Sequence, residues 1–496
     1  MNNIIQHSEE NGIPELEKIY ESFSKAPKDI AGFVYGMRDF HLRIAAKHVG
    51  DSFTAINTSL RKSAQRKRHW KIVRTDSKTL TTSIGDITYQ KTLFEHKETG
   101  IRKYLVDQVL GLKPGARMTE DAEAQMLEEA VRTSYRRGGE AASILSRVSK
   151  ETVKDHLHEL EFPEEAETAE PVERRKIDRL FIEADEDHIH LQFKKRKGDL
   201  RADKLGRKMN SAIVKLIYVH EGIEPEAPKS KRHRLIKAHY FAGTYEGEDN
   251  KVLWDEVYEY IIKTYDIDSI KKIYLNSDGG EWIKAGARRL HGITRVMDEF
   301  HLRERVLGMT RHVDGIDKNG HPAMDAILDT IRRDTKEDFI SYVDMLMFHA
   351  GENELTWRRV SDGADYILNN WMAAKVRLAY RDSVCGSSTE AHVCHVLSTR
   401  MSNKPMGWSR LGADKMARLR AYYWNKGSMI ELVRYQNTRE ELPKVAGAEL
   451  DPISSAQIRL FEYEARSEEV RYYERMQATL GESIRKAFRI VINKYL

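Results

Sequence analysis

Residues 270–284 read IKKIYLNSDGGEWIK, and the fold is decided there. Ile273, Tyr274 and Leu275 make a short apolar run of strand character, Asp278 ends it, and a helical pattern opens near Glu281. In open α/β sheets, ligands sit beyond the carboxyl ends of the strands, which is where Asp278 falls. Gly279 and Gly280 let backbone or a phosphate come close. Asp278 and Glu281 also fit a D-x-x-E capping box for the following helix.

The pattern extends in both directions. Upstream, RLFIEAD (179–185), DHIHLQF (187–193), IVKLIYVH (213–220) and RLIKAHYFA (234–242) are strand-like, and NKVLWDEVYEYIIKTY (250–265) is helical. Downstream, ITRVMDEF (293–300) is strand-like and residues 301–380 are almost wholly helical, with Trp357 and Trp371 expected in the core. A further helix begins near Ser387. The expected class is α/β, a mixed sheet core with one large helical insertion.

Before that core, residues 1–70 read as helices, with Leu16, Ile19, Tyr20 and Phe23 at helical spacing. KTLTTSIGDITYQKTLFEH (78–96) alternates with period two around Gly85, as a hairpin does. SYRRGGEAASIL (134–145) and SKETVKDHLHEL (149–160) have helix-turn-helix order, although the break between them carries no glycine. Ser149 is the expected N-cap of the second helix. Val153 and Leu157 should pack inward, leaving Lys150, Thr152, Lys154 and His158 outward to meet DNA; any helical hairpin would show the same pattern. EFPEEAETAEPVE (161–173) has six glutamates and two prolines and reads as an acidic linker. The expected division is 1–115 (basic, helices and hairpin), 116–160 (DNA-binding helices), 161–174 (linker), 175–300 (first part of the core), 301–380 (helical insertion), 381–440 (second part of the core) and 441–496 (C-terminal helices).

Across 496 residues, Lys+Arg number 82 and Asp+Glu 77, so the total charge decides little. Its placement is more informative. Arg61, Lys62, Arg66, Lys67, Arg68, Lys71 and Arg74 occur without an acid among them, and residues 400–426 hold seven basic residues against Asp414 alone. Two such clusters favour a polyanionic partner over a merely solvated helix face. No run of eighteen apolar residues exists, the N-terminus lacks a signal-peptide pattern, and two cysteines imply no disulfide framework. A cytoplasmic, nucleoid-associated protein with no membrane contact is expected.

Three carboxylates stand out by position. Asp185 follows the apolar run Leu180, Phe181, Ile182; a turn aspartate would look the same, and Asp187, His188 and His190 are rival metal ligands. Asp278 is the second. Glu390 is in register with Val393, Leu397 and Met401, so it should point toward the sheet, where a lone charge is costly. Ser387 and Glu390 also spell an S-x-x-E capping box. Cys385, His392, Cys394 and His395 offer a zinc alternative, but C-x6-H-x-C-H matches no standard knuckle.

The stretches IEADEDHIHLQ (182–192), YLNSDGGEWIK (274–284), MDEFHL (297–302) and CGSSTEAHVCHVLSTRMSNKPMGWSRLGADKMARLRAY (385–422) closely resemble the ISLre-type insertion-sequence transposases. That family belongs to the DDE class with a ribonuclease H-like core, and the resemblance spans roughly residues 70–440. It implies a triad of Asp185, Asp278 and Glu390 holding two Mg²⁺ ions, with Mn²⁺ as a substitute. His301, in MDEFHL, falls within a family motif without an assigned role. The implied reaction is cleavage at the element ends followed by strand transfer into target DNA, with no small-molecule cofactor. Arg66, Lys67, Arg68, Lys404, Arg410, Lys415 and Arg418 would bind phosphates, and Trp408 could stack on a base or pack in the core. Synapsis of two ends implies at least a dimer. The alternatives are a ribonuclease H-like nuclease or resolvase without strand transfer, and a non-catalytic DNA-binding regulator derived from such an element.

Overall fold

A computed structural model describes residues 13–163, 173–192, 201–202, 208–288, 292–313, 321–381, 383–386, 388–404 and 406–439. Most of the acidic linker and the C-terminal segment 441–496 lie outside the described residues. The chain divides into two compact units, one of residues 1–155 with 429–496 and one of residues 156–428. These bounds differ from the expected ones. The first falls inside a helix, and the second returns the helix Met429–Arg439 to the N-terminal unit.

The first unit opens with helices α1 (Ile13–Lys25), α2 (Ile30–Lys62) and α3 (Ala64–His69). Strands β1 (Trp70–Thr82) and β2 (Gly85–His96) form the hairpin, longer than its alternating stretch, and β3 (Arg102–Tyr104) pairs with β2. α2 and the short α4 (Leu105–Val109) cover this sheet, burying Leu60, Trp70, Leu80, Ile87, Phe94 and Val106. Helices α5 (Glu120–Arg132) and α6 (Tyr135–Ala141) make the tight pair, so close that a Cβ on Gly138 would stand 2.8 Å from that of Ala130. The expected helix-turn-helix is therefore different. The break between α6 and α7 (Lys150–Glu159) runs from residue 142 to 149, well beyond a three- or four-residue turn. Ser149 does cap α7, its Oγ accepting from the Thr152 amide at 3.1 Å, and Val153 and Leu157 are buried.

In the second unit, β4 (Arg179–His190), β5 (Ser211–His220), β6 (His239–Gly243), β7 (Lys272–Ser277) and β8 (Ile293–Met297) form one sheet in the order β6-β5-β4-β7-β8. β5 runs antiparallel to both β6 and β4, whereas β4, β7 and β8 are parallel. The two expected strands 179–185 and 187–193 are a single strand, because Asp185 through His190 remain paired with β5. RLIKAHYFA instead breaks at Lys237, which takes a positive φ of 52°.

Side-chain alternation sets the two faces of β4. Leu180, Ile182 and Ala184 pack beneath α8 (Asn250–Thr264) with Leu253, Trp254 and Val257. Phe181 faces the other way, with Tyr274, Val296 and Val384. After β8, helices α9 (Glu299–Thr310), α10 (His321–Arg333), α11 (Lys336–Ala350), α12 (Glu354–Asn369) and α13 (Trp371–Ala379) form the insertion around Leu302, Val306, Ile327, Phe339, Val360 and Trp371. Trp371 is buried as expected; Trp357 is 49% exposed, which corrects its core assignment. No helix among the described residues is long and apolar enough to cross a membrane.

Candidate active site

Parallel pairing of β4 with β7 matches Glu183 to Asn276 and Ala184 to Ser277. One further step brings Asp278 level with Asp185. Asp185 shares a face of β4 with Phe181, Glu183 and Asp187, whereas His188 and His190 project from the opposite face with Glu186. The pleat thus separates the HxH pair from Asp185.

Asp185 is partly buried, and its Oδ1 accepts from the Glu186 amide at 2.8 Å. Its carboxyl is pushed up to about 7, first by burial and further by the charges of Asp278 and Glu390, while nearby His301 pulls it down. The charges of Asp278, Glu390 and His301 therefore each reach Asp185. Asp187 is instead engaged by the Ser402 hydroxyl at 2.8 Å.

Asp278 sits in a turn shaped on both sides. Its Oδ1 accepts from the Gly280 amide at 2.9 Å, and its carbonyl accepts from the Tyr366 hydroxyl of α12. Gly279 adopts φ 92°, and a Cβ there would meet Asn370 Oδ1 at 2.7 Å. The expected D-x-x-E box does not form. The following helix, Glu281–Ala287, takes Gly280 as its N-cap, and Glu281 turns to Lys284 at 2.9 Å.

Glu390 lies in the first turn of α14 (Thr389–Val393), whose N-cap is Ser388 without a side-chain cap bond. Ser387 lies outside the described residues. A five-residue π-helical segment, Cys394–Ser398, follows and shifts the helical phase. Val393, Leu397 and Met401 are buried, but Glu390 is solvent-exposed at the rim, which corrects its expected inward place on the stripe. Single-turn π segments within helices are frequent at functional sites.

Sequence reasoning missed the groups under this rim. Glu183 is fully buried, accepting from Tyr218 Oη, Thr389 Oγ1 and the Ser388 amide, with His220 at its other oxygen. The one available signal was a glutamate inside the apolar run LFIEA. Its carboxyl is held below the usual range despite the opposing effect of burial, because hydrogen bonds and the His220 charge outweigh desolvation. His392 Nδ1 stands 3.0 Å from Tyr240 Oη, and the two rings stack.

Among the described residues no three His, Cys, Asp or Glu side chains are grouped so that they could hold a metal ion. A hard divalent cation nonetheless suits this donor set. Mg²⁺ keeps several waters and takes only one or two carboxylates, and the crowded charge at Asp185 is what a cation would relieve.

The expected DNA contacts separate into two groups. Lys67 and Arg68 are exposed beside Arg61 and Lys62, and Lys404 is exposed. Lys150 and Lys154 are solvent-facing but sit by Glu151 and Asp155 at 3.7 and 2.7 Å, and Arg410 pairs with Glu246. Of the rest, all but Thr152 are wholly or partly turned inward. Arg66 is buried, donating to the Leu60 and Trp70 carbonyls with its guanidinium over Phe94. Trp408 is buried with Nε1 on the Met401 carbonyl, a core tryptophan and not a stacking platform. Lys415 donates to the Leu160 carbonyl, and Arg418 is held by Asp414 and Glu256 over the Tyr245 ring. Thr152 lies beside Ser149, and His158 stands 3.5 Å from Ser409, half-buried.

Residues 36–439 match the profile of an uncharacterised protein family, UPF0236. A UPF0236 protein of Caldanaerobacter subterraneus subsp. tengcongensis, whose name joins eleven locus designations, is 31% identical over 430 residues, covering 86% of this chain and 85% of the relative. A second UPF0236 protein of that organism is 31% identical over 423 residues, covering 85% and 84%. Among solved structures, the Drosophila P element transposase strand transfer complex matches with a TM-score of 0.21 and 10% identity, over 68% of this chain and 84% of that one.

Proposed function

This chain belongs to the UPF0236 family, and we propose that it is a DDE-type transposase of a bacterial insertion sequence, of ISLre type, with a ribonuclease H-like core. The observation that supports the reading most is the effect of the Asp278 and Glu390 charges on Asp185, carried on or just beyond two parallel strands and on a helix more than a hundred residues downstream. The sheet supports it: an antiparallel β6-β5-β4 meander continued by parallel β7 and β8 is what a ribonuclease H-like core would show. A relative whose name joins eleven loci fits a sequence that multiplies within its genome.

Asp185, Asp278 and Glu390 would hold two Mg²⁺ or Mn²⁺ ions. When bound, the ions supply Lewis acidity at the scissile phosphodiester and a clamp for attacking and leaving oxygens. The chain's own part is to fix the carboxylates and align the DNA. Exposed Arg61, Lys62, Lys67 and Arg68, with Lys150, Lys154, Lys404 and Arg410, would neutralise backbone phosphates of element ends and target. Joining two ends calls for at least a dimer.

The test is strand cleavage and joining by the purified full-length protein on DNA carrying its element ends, in Mg²⁺ and Mn²⁺. Asp278→Asn and Asp185→Asn should each abolish both steps while end binding survives, and Asp187→Asn should be milder. Cleavage without joined product would point to a nuclease or resolvase. End binding without cleavage by the wild type would leave only a regulator.

A further inference from the structure

Glu183, Tyr218 and Asn276 lie side by side across three strands, since Glu183 pairs with Tyr218 on β5 and with Asn276 on β7. All three are fully buried. We propose that this polar row is the seat that registers the Glu390 segment, with Glu183 as the principal positioning residue. The inference rests on the reading of Asp185, Asp278 and Glu390 as the carboxylates of the reaction.

Two hooks hold the segment. Glu183 Oε2 accepts from the Ser388 amide at 3.0 Å and from Thr389 Oγ1 at 2.6 Å, and Tyr218 Oη steadies the same oxygen at 2.7 Å. His220 Nε2 stands 3.2 Å from Oε1; its Nδ1 faces the Gly222 carbonyl at 3.1 Å and so carries the proton shared there. The second hook runs through Arg377 of α13, which donates to Asn276 Oδ1 at 2.7 Å, to the Met297 carbonyl at 2.9 Å and to the Cys385 carbonyl at 2.7 Å. The chain is thereby pinned at Cys385 and again at Ser388 and Thr389, immediately before Glu390.

The spacing gives the row its meaning. Asp185 is the next residue after Glu183 on that face of β4, and Asp278 follows Asn276 by two positions. The seat therefore lies one pleat repeat behind the carboxylates. The helical insertion separates β8 from the Glu390 segment, so chain connectivity does not set where that segment lands. Apolar burial is non-directional and would tolerate a slide, whereas three hydrogen bonds to one carboxylate oxygen fix position. Partners of this kind around a metal-binding carboxylate typically change metal affinity by about 10–100-fold when removed.

The test uses full-length protein with Thr389→Val, which deletes one hook, Thr389→Ser, which restores the hydroxyl, and Glu183→Gln. Tyr218→Phe substitutes if Glu183→Gln fails to fold. Two readouts are taken without DNA: Mn²⁺ affinity by electron paramagnetic resonance, and hydrogen exchange of the amides of residues 388–393. Thr389→Val should weaken Mn²⁺ binding by about 10-fold or more and speed exchange across that segment, and Thr389→Ser should return both toward wild type. Wild-type exchange in Thr389→Val, or wild-type Mn²⁺ affinity in both Thr389→Val and Glu183→Gln, overturns the seat. If Asp278→Asn binds Mn²⁺ as well as wild type, the carboxylate reading itself fails, and exchange alone then decides whether the row holds the segment.

Discussion

Asp185 and His392 titrate in opposite senses over nearly the same pH range. Asp185 rises from an ordinary value of 3.8 to about 7, chiefly through burial, and His392 falls from 6.5 to about 4 for the same reason. Between those limits the folded protein keeps a proton on Asp185 that the unfolded chain has released, so this group's contribution to stability falls as pH rises. At His392 the unfolded chain takes a proton that the folded protein refuses, so stability falls as pH drops from 6.5 toward 4. In metal-free protein the two slopes oppose each other. Asp185→Asn should unmask the second, its melting temperature dropping more steeply than that of wild type on acidification in calorimetry. Equal slopes would mean that Asp185 is not raised. Glu390, exposed in the first turn of α14, gives a second expectation: Glu390→Gln should stay within about 0.5 kcal/mol of wild type while losing cleavage and joining. Strand transfer at the wild-type rate would remove Glu390 from the site. Asp278 was readable because a strand, a turn and a helix announce it. Arg66 and Arg418 were misread because a sequence displays charge but not which side of the fold it meets, and the core alternative is the one Trp408 takes.

At the scale of elements, β4 looked like two strands because ADED resembles a turn. Its polar side chains are tolerated in a continuous strand because α14 and the residues after it cover them, through Ser388 and Thr389 on Glu183 and Ser402 on Asp187. Such long-range cover leaves no local pattern. Neither does the π segment Cys394–Ser398. Deleting His395 should restore α-helical phase and swing Glu390 by about 100° relative to the buried residues beyond. Circular dichroism should then be unchanged while cleavage is lost; retained cleavage would show that the phase shift is idle. The Asp278 turn offers a gentler perturbation. Tyr366→Phe removes the hydroxyl donor to its carbonyl, at a net cost of about 0.5–1.5 kcal/mol, and should lower the cleavage rate more than DNA affinity. An unchanged rate would make Tyr366 a packing residue only.

For the molecule as a whole, the basic surplus matters through its exposed fraction. Of the cluster from Arg61 to Arg74, Arg66 is interior and Lys71 and Arg74 are paired with Glu95 and Asp76. Replacing Arg61, Lys62, Lys67 and Arg68 together with Ala in the full chain should weaken binding to any duplex. The slope of log affinity against log salt should become shallower by about 0.9 for each phosphate no longer neutralised. An unchanged slope would place the DNA on another surface. Domain limits were only partly legible, because composition does not mark a helix that packs hundreds of residues from where it is encoded.

The helix Met429–Arg439 is such a case. Arg434 and Asn437 bond Glu120 at the head of α5, and Lys113 donates to the Gln436 carbonyl. Glu120 and Arg434 are 314 residues apart. At a synthesis rate of roughly 5–20 residues per second, α5 leaves the ribosome between a quarter of a minute and a minute before its partner exists. The unit translated first is thus among the last to close, and its half-made core waits exposed while the second unit is still being threaded out. A chain that stops short of residue 429 would carry every candidate carboxylate yet lack the strap that completes its basic end, and should be the preferred prey of proteases during synthesis.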